Sequence, residues 1–161
     1  MPYQLSLHSP VGDLTISEDG GEIVSIDWGW VDQQTDTAVL VEARRQLHDY
    51  FDGHRRGFDL PLAPAGTPYQ RRVWQALREI PAGCTRTYAG IARIVGGSPR
   101  SVGVANSRNP IPIVIPCHRV VATGGPGGYS GGEGLPTKHF LLALEGVATP
   151  EIDLFAVRDR A

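Results

Sequence analysis

Apolar and polar residues alternate at the start of the chain. Leu5 and Leu7, then Leu14 and Ile16, then Ile23, Ser25 and Asp27 carry the period of two expected of short strands. Ser9-Pro10-Val11-Gly12 and Asp19-Gly20-Gly21 separate these runs with turn residues. The pattern predicts a small antiparallel meander. From Thr37 to Phe51 the period changes. Val39, Leu40, Ala43, Leu47 and Phe51 recur at helical spacing, and Gly53 closes the segment. The Pro/Gly-rich stretch FDLPLAPAG then marks a boundary.

Beyond the boundary the helical signals come close together. Thr67-Pro68 supplies an N-cap and a first-turn proline, and Val73, Trp74, Leu77 and Ile80 line one face before Pro81 stops the helix. A second helix is predicted from Tyr88 to Val95, ending at Gly96-Gly97. Ser98-Pro99 opens a third, with Arg100 in its first turn. Short helices joined by a glycine turn have the shape of a helix-turn-helix, although many helical hairpins share it. After Asn109-Pro110 the run IPIVIP is apolar and β-like and leads to Cys117. The loop TGGPGGYSGGEG is dense in glycine, but no Lys-Ser/Thr follows, so it is not a P-loop. A last helix is predicted from Pro136 to Leu144, with Phe140, Leu141 and Leu144 on one face and Glu145-Gly146 at its end.

The fold class that follows is α/β of the α+β kind. A small N-terminal antiparallel sheet with a helix precedes a mostly helical C-terminal domain with a helix-turn-helix. The division predicted is an α/β subdomain over 1–65, a catalytic and DNA-binding domain over 66–146, and a C-terminal tail over 147–161.

A length of 161 residues fits one domain, or a catalytic domain with a small companion. No run approaches the ~18–20 apolar residues of a membrane span. MPYQLSLHSP lacks the basic and apolar regions of a signal peptide, so a cytoplasmic protein with no membrane partner is expected. The cysteines, Cys84 and Cys117, are too few for a disulfide framework.

The formal net charge of −2 argues against nucleic acid, but its distribution argues for it. Between Gly66 and Phe140 lie Arg71, Arg72, Arg78, Arg86, Arg93, Arg100, Arg108, Arg119 and Lys138, against Glu79 and Glu133 alone. The flanking segments are net negative. An arginine-rich middle is the footprint of a nucleic-acid partner, or simply a solvated basic face.

The central chemistry is Cys117 beside His118. The pair could be metal ligands, core residues, or a nucleophile with its base. No histidine at positions 8, 48, 54 or 139 has metal-ligand spacing to either cysteine, so no metal is expected. Free cysteine is commonly buried. A nucleophile needs a base or a positive environment to form the thiolate, and a third group to orient the base. Glu145 is the only acid between Glu133 and the tail. Neighbouring residues on a strand face opposite ways, so His118 is expected to reach the thiol through a turn or a bridging water. Cys84 follows Gly83 in a loop and reads as structural or incidental.

IPCHRV resembles the active-site signature of the O6-alkylguanine-DNA alkyltransferases. TPYQRRVWQALREIPAG, TRTYAGIA, NSRNPIPIVIPCHRVV, GYSGG and KHFLLALEG stand in that family's order, and LSLHSPVG and the helix ending YFDG match as well. The resemblance spans residues 1–146. It implies that Cys117 accepts the alkyl group irreversibly, with His118 as base through a water, Glu145 orienting it, and Asn109 holding water and turn. It implies that Tyr88, Pro112, Val120, Tyr129 and Ser130 bind the extruded base. The carbonyls of Cys117 and Val120 read its exocyclic amine. Arg100 fills the gap left in the stack, and Ser98, Arg108 and Arg119 join it in contacting DNA. The partner implied is double-stranded DNA containing O6-alkylguanine, bound by a monomer without cofactor.

Overall fold

A computed structural model describes residues 2–147. Three strands form the expected meander: β1 (Tyr3–Leu7), β2 (Leu14–Asp19) and β3 (Glu22–Trp28), antiparallel in the order β1-β2-β3. Helix α1 (Ala38–Phe51) covers one face of it. Thr37 caps the helix by accepting from Leu40 N, and Leu40, Ala43 and Leu47 bury against Leu5, Leu7, Leu14 and Ile16. The bulge between Ser17 and Glu18 shifts the register, so Glu18 pairs with Ile23.

The free edge of β3 ties the sheet to the rest of the chain. Ile23 N donates to Pro61 O and Ala63 N to Ile23 O, both at 2.8 Å, so the proline-rich connector runs along this edge. Further along, Ile26 N donates to Pro110 O at 2.9 Å. That bond fixes the start of the segment leading to Cys117 against the sheet.

The second half is built from α2 (Pro68–Arg78), α3 (Tyr88–Val95), α4 (Pro99–Ser107) and α5 (Leu135–Leu144). Thr67 with Gln70, and Ser98 with Ser101, make reciprocal capping boxes at α2 and α4. The turn between α3 and α4 requires glycine at position 97. Its φ is +80°, and a Cβ there would collide with the Tyr69 hydroxyl and Ser101 Oγ. Trp74 Nε1 donates to Ala105 O at 2.8 Å and locks α2 onto α4. A short parallel pair, β4 (Arg86–Thr87) and β5 (Val120–Val121), sets the start of α3 beside the end of the Cys117 segment.

Two sequence expectations change. IPIVIP forms no strand: residues 111–116 are a buried irregular loop with one bridge, Pro112 to Ile115. Its prolines cannot donate to a ladder. The outward face of α5 also differs. Phe140 is exposed, and the buried side carries Thr137, Lys138, Leu141 and Leu142. Of the expected tail, 148–161 lie outside the described residues.

Candidate active site

Cys117 opens a 3-10 turn, Cys117–Arg119, at the end of the buried loop. Asn109 braces that loop from both ends of its amide: it accepts from Ile111 N at 2.9 Å and donates to Ile115 O at 2.7 Å. Ile113 is held at φ +74°, a left-handed conformation that a β-branched residue rarely adopts. Such strain persists only where the surroundings over-determine it, and here it lies four residues before Cys117.

The turn sends Cys117 and His118 in different directions. Cys117 lines two adjoining cavities. One, of about 280 Å³, is bounded by Tyr88, Gly103, Asn106, Tyr129 and Ser130. The other, of about 170 Å³, is bounded by Trp28, Asn109, Pro112, Tyr129 and Ser130. Gly131 lets the loop pass close to Trp28, since a Cβ there would strike the indole. His118 is fully buried behind the thiol. Its Nε2 lies 2.8 Å from Glu145 Oε2, and the carboxylate fixes that nitrogen as the protonated one. Nδ1 is then the proton acceptor, and it has no protein partner among the described residues.

Glu145 accepts three further hydrogen bonds, from two residues. Arg119 Nε and Nη2 reach its two oxygens at 2.8 and 2.9 Å, and Tyr50 Oη donates at 2.5 Å. Arg119 Nη1 also donates to Ile80 O at 2.6 Å. The acid ends α5, where a helix dipole disfavours negative charge, and the guanidinium offsets that cost. Burial raises the Glu145 pKa, but the hydrogen bonds from His118 and Arg119 outweigh it and hold the group at about 2. Burial lowers the His118 pKa despite Glu145, so its imidazole is neutral. Burial raises the Cys117 thiol, offset only in part by the Asn109 amide and the Lys138 ammonium. The resting state is therefore thiol, neutral imidazole and carboxylate.

Lys138 is fully buried and donates to Val120 O at 2.6 Å and Gly128 O at 3.0 Å. It ties the glycine loop to the Cys117 segment. Tyr88 is half-buried at the start of α3, and its hydroxyl accepts from Gly128 N at 3.4 Å across the mouth of the larger cavity. Ser130 Oγ donates to Ser107 O at 3.3 Å. These contacts close the cavity between α4 and the glycine loop.

The predicted residues thus fall into groups. Cys117, His118, Glu145 and Asn109 come together at the turn. Tyr88, Pro112, Tyr129 and Ser130 line the cavities. Val120 is buried, with its carbonyl engaged by Lys138. Ser98, Arg100 and Arg108 are exposed around α4, on the outer side of the same helix that lines the larger cavity. Arg119 is corrected: it is 6 % exposed, its guanidinium is spent on Glu145 and Ile80 O, and it does not reach the surface expected of a DNA contact. The exposed arginines of this segment are instead Arg71, Arg72, Arg78, Arg86, Arg93, Arg100 and Arg108. Tyr50 and Asn106 carry no sequence signal that separates them from ordinary core and helix residues. No cluster of metal-ligating side chains occurs among the described residues, and no helix among them is long and apolar enough to cross a membrane.

Comparison with known proteins places this arrangement. Residues 3–64 match the family described as 6-O-methylguanine DNA methyltransferase, ribonuclease-like domain, and residues 68–147 match its DNA binding domain. The constitutive methylated-DNA–protein-cysteine methyltransferase of Bacillus subtilis is 41 % identical over 94 % of this chain and 99 % of its own length. That of Methanosarcina acetivorans is 42 % identical over 89 % of this chain and 98 % of its own. Among solved structures, Mycobacterium tuberculosis OGT in complex with DNA superposes with a TM-score of 0.81 and 37 % identity, covering 95 % of this chain and 99 % of that one. The chain belongs to the 6-O-methylguanine DNA methyltransferase family, whose members repair DNA by transferring an alkyl group to a cysteine of their own.

Proposed function

We propose that the chain removes alkyl groups from O6 of guanine in double-stranded DNA and keeps them on Cys117. The observation that carries this is the placement of Cys117. Its turn opens on cavities shared with α4, while its neighbour His118 is oriented from behind by Glu145. A base stacked in a duplex cannot reach a cavity, so the nucleotide is extruded past Tyr88, and Arg100 fills the gap from the first turn of α4. The exposed arginines supply phosphate contacts with little sequence preference.

His118 Nδ1 takes the thiol proton through a water, and Glu145 stabilises the imidazolium that forms. The thiolate attacks the alkyl carbon. The new C–S bond forms as the C–O6 bond breaks, and the electron pair goes to the purine. The purine then takes up the proton and leaves as neutral guanine. Asn109 holds the loop and the thiol in place. Tyr129, Ser130 and Pro112 enclose the alkyl end of the base. A thioether is a poor leaving group and no residue is poised to remove it, so each molecule acts once. We place the protein in the cytoplasm as a monomer, with Cys84 and Cys117 both free.

Intact-mass measurement after mixing with a duplex carrying one O6-methylguanine tests the reading. One methyl group, mapped to Cys117 and missing from Cys117→Ala, is the expected result. A bound duplex that stays methylated would sink it.

A further inference from the structure

A cavity of about 190 Å³ lies between the two halves of the chain, apart from those at Cys117. Arg56 and Phe58 line it from the segment after α1, Arg78 from the last turn of α2, and Pro116 and Arg119 from the Cys117 segment. It shares no lining residue with either cavity at Cys117, and none of its lining comes from α4.

Three guanidinium groups meet at this cavity, and no carboxylate lines it. The acid beside Arg119, Glu145, is already engaged by His118, Tyr50 and Arg119 itself. Arg56 uses only its Nη2, which donates to Ala82 O at 2.9 Å and Glu145 O at 3.0 Å, so its Nε and Nη1 donors are free among the described residues. Arg78 is exposed and makes no hydrogen bond or ion pair among the described residues. Bonds to carbonyls just after α2 and at the end of α5 account for Arg56 and Arg119 as structural residues. They account for nothing at Arg78, and they leave the gathered charge uncompensated. Like charges repel more strongly beside apolar walls than in open water, so such a cluster favours an anion among them.

We propose that this cavity is an oxyanion site that takes a phosphate group, held between Arg56 of the N-terminal half and Arg78 of the C-terminal half with the charge of Arg119 beside them. A guanidinium presents paired N–H donors that match two oxygens of a phosphate. A tetrahedral phosphate has oxygens enough for two such forks, whereas the two coplanar oxygens of a carboxylate serve one fork well. The apolar side chains of Phe58 and Leu62 at the same cavity strengthen these contacts by limiting water. A free phosphate ion and a backbone phosphate of DNA offer the same chemistry. Either one bridges the segment after α1 to α2, and so stabilises the folded chain by mass action. The alkyl transfer proposed above does not depend on this site.

Equilibrium dialysis of the full chain against radiolabelled inorganic phosphate, at constant ionic strength set with sodium chloride, tests the proposal. One phosphate per chain is expected, bound saturably and not displaced by an equal concentration of acetate. Arg78→Gln should weaken binding by about 10-fold or more, and Arg56→Gln added to it should abolish binding. Arg93→Gln, which removes an exposed arginine from α3, should leave binding unchanged. Because Arg78 has no partner among the described residues, its single variant keeps the test independent of folding. Unfolding midpoints give a second reading. Phosphate should raise the midpoint of the unsubstituted protein more than that of Arg78→Gln, since its general effect through water is common to both. An unmodified duplex then identifies the source. Phosphate displaced by the duplex assigns the site to the DNA backbone, and phosphate retained on the DNA-bound protein assigns it to the free ion. No saturable binding, displacement by acetate, or binding undiminished in Arg78→Gln would overturn the proposal.

Discussion

Tyr50 Oη donates to Glu145 Oε2 at 2.5 Å, from the helix that covers the sheet to the acid behind the histidine of the other half. The N-terminal half therefore helps to fix the carboxylate that holds His118. Hydrogen bonds to a charged group contribute about 1.5–3 kcal/mol. Tyr50→Phe keeps the ring in the core and removes only the hydroxyl. The expected loss is about 2 kcal/mol of stability in denaturant unfolding. His118 and Arg119 still hold the carboxylate, so the transfer rate should fall by ~10-fold or less. An unchanged unfolding midpoint would mean that this hydroxyl contributes nothing to the network.

Acid should unfold the protein in two stages. His118 is buried and neutral, so its folded pKa lies below its unfolded value near 6.5. As pH falls through that value the unfolded chain takes up a proton that the folded one refuses, and stability drops. Glu145 stays ionised in the folded state down to about 2, against 4.5 for an ordinary glutamate. Its contribution, on the order of 3 kcal/mol, is complete above the unfolded value and is lost between about 4.5 and about 2. Urea midpoints measured from pH 8 to 3 should bend downward near 6.5 and again near 4.5. A midpoint that rises between pH 6.5 and 5 would mean that His118 is protonated in the folded protein.

Much of this architecture is legible in the residues themselves. Alternation in β1 to β3, the caps Thr37, Thr67 and Ser98, and the glycines at 96 and 97 are local signals, and each element forms where its signal stands. The family motif brings Cys117, His118, Asn109 and Glu145 together on paper. What the residues do not show is which long polar side chains turn inward. Arg119 and Lys138 look like surface cations in a basic segment, yet each is buried because its partner, Glu145 or a pair of carbonyls, lies far away in sequence. Tyr50 and Asn106 are invisible for the same reason: their contacts, to Glu145 and to Cys117 O, span 95 and 11 positions. IPIVIP misleads because apolar β-branched residues suggest a strand wherever prolines and a positive φ do not forbid one.

Arginines on the two sides of the Cys117 turn should behave in opposite ways. Arg100 is exposed at the first turn of α4. Arg100→Ala should leave the unfolding midpoint in place and slow transfer from a duplex far more than from a single-stranded oligonucleotide, where no stack has to be refilled. Arg108→Ala should weaken DNA binding and reduce its salt slope by about 1. Arg119→Ala should leave the DNA affinity of the folded protein unchanged but cost about 3–5 kcal/mol in stability, because Glu145 stays buried without its cation. Salt-dependent binding isotherms and unfolding curves on the three variants separate these outcomes. A stable Arg119→Ala protein with weakened DNA binding would reverse the assignment.

Lys138 links the glycine loop to the chemistry of the thiol. Its ammonium bonds the carbonyls of Val120 and Gly128, and its charge favours the Cys117 thiolate against the burial that raises the thiol pKa. Burial in turn lowers Lys138 to about 8, against the pull of Cys117, so the support fades above that pH. Lys138→Met keeps the apolar stem and removes the charge together with both hydrogen bonds. The Cys117 pKa should then rise further, and alkylation by iodoacetamide should require higher pH than in the unsubstituted protein. Transfer at pH 7 should slow, with partial recovery as the pH is raised and thiolate forms without help. A loop that merely comes loose would slow both reactions at every pH without moving the profile. The shift of the pH profile, rather than the loss of rate, is therefore the measurement that separates a charge acting on the thiol from a tether acting on the loop.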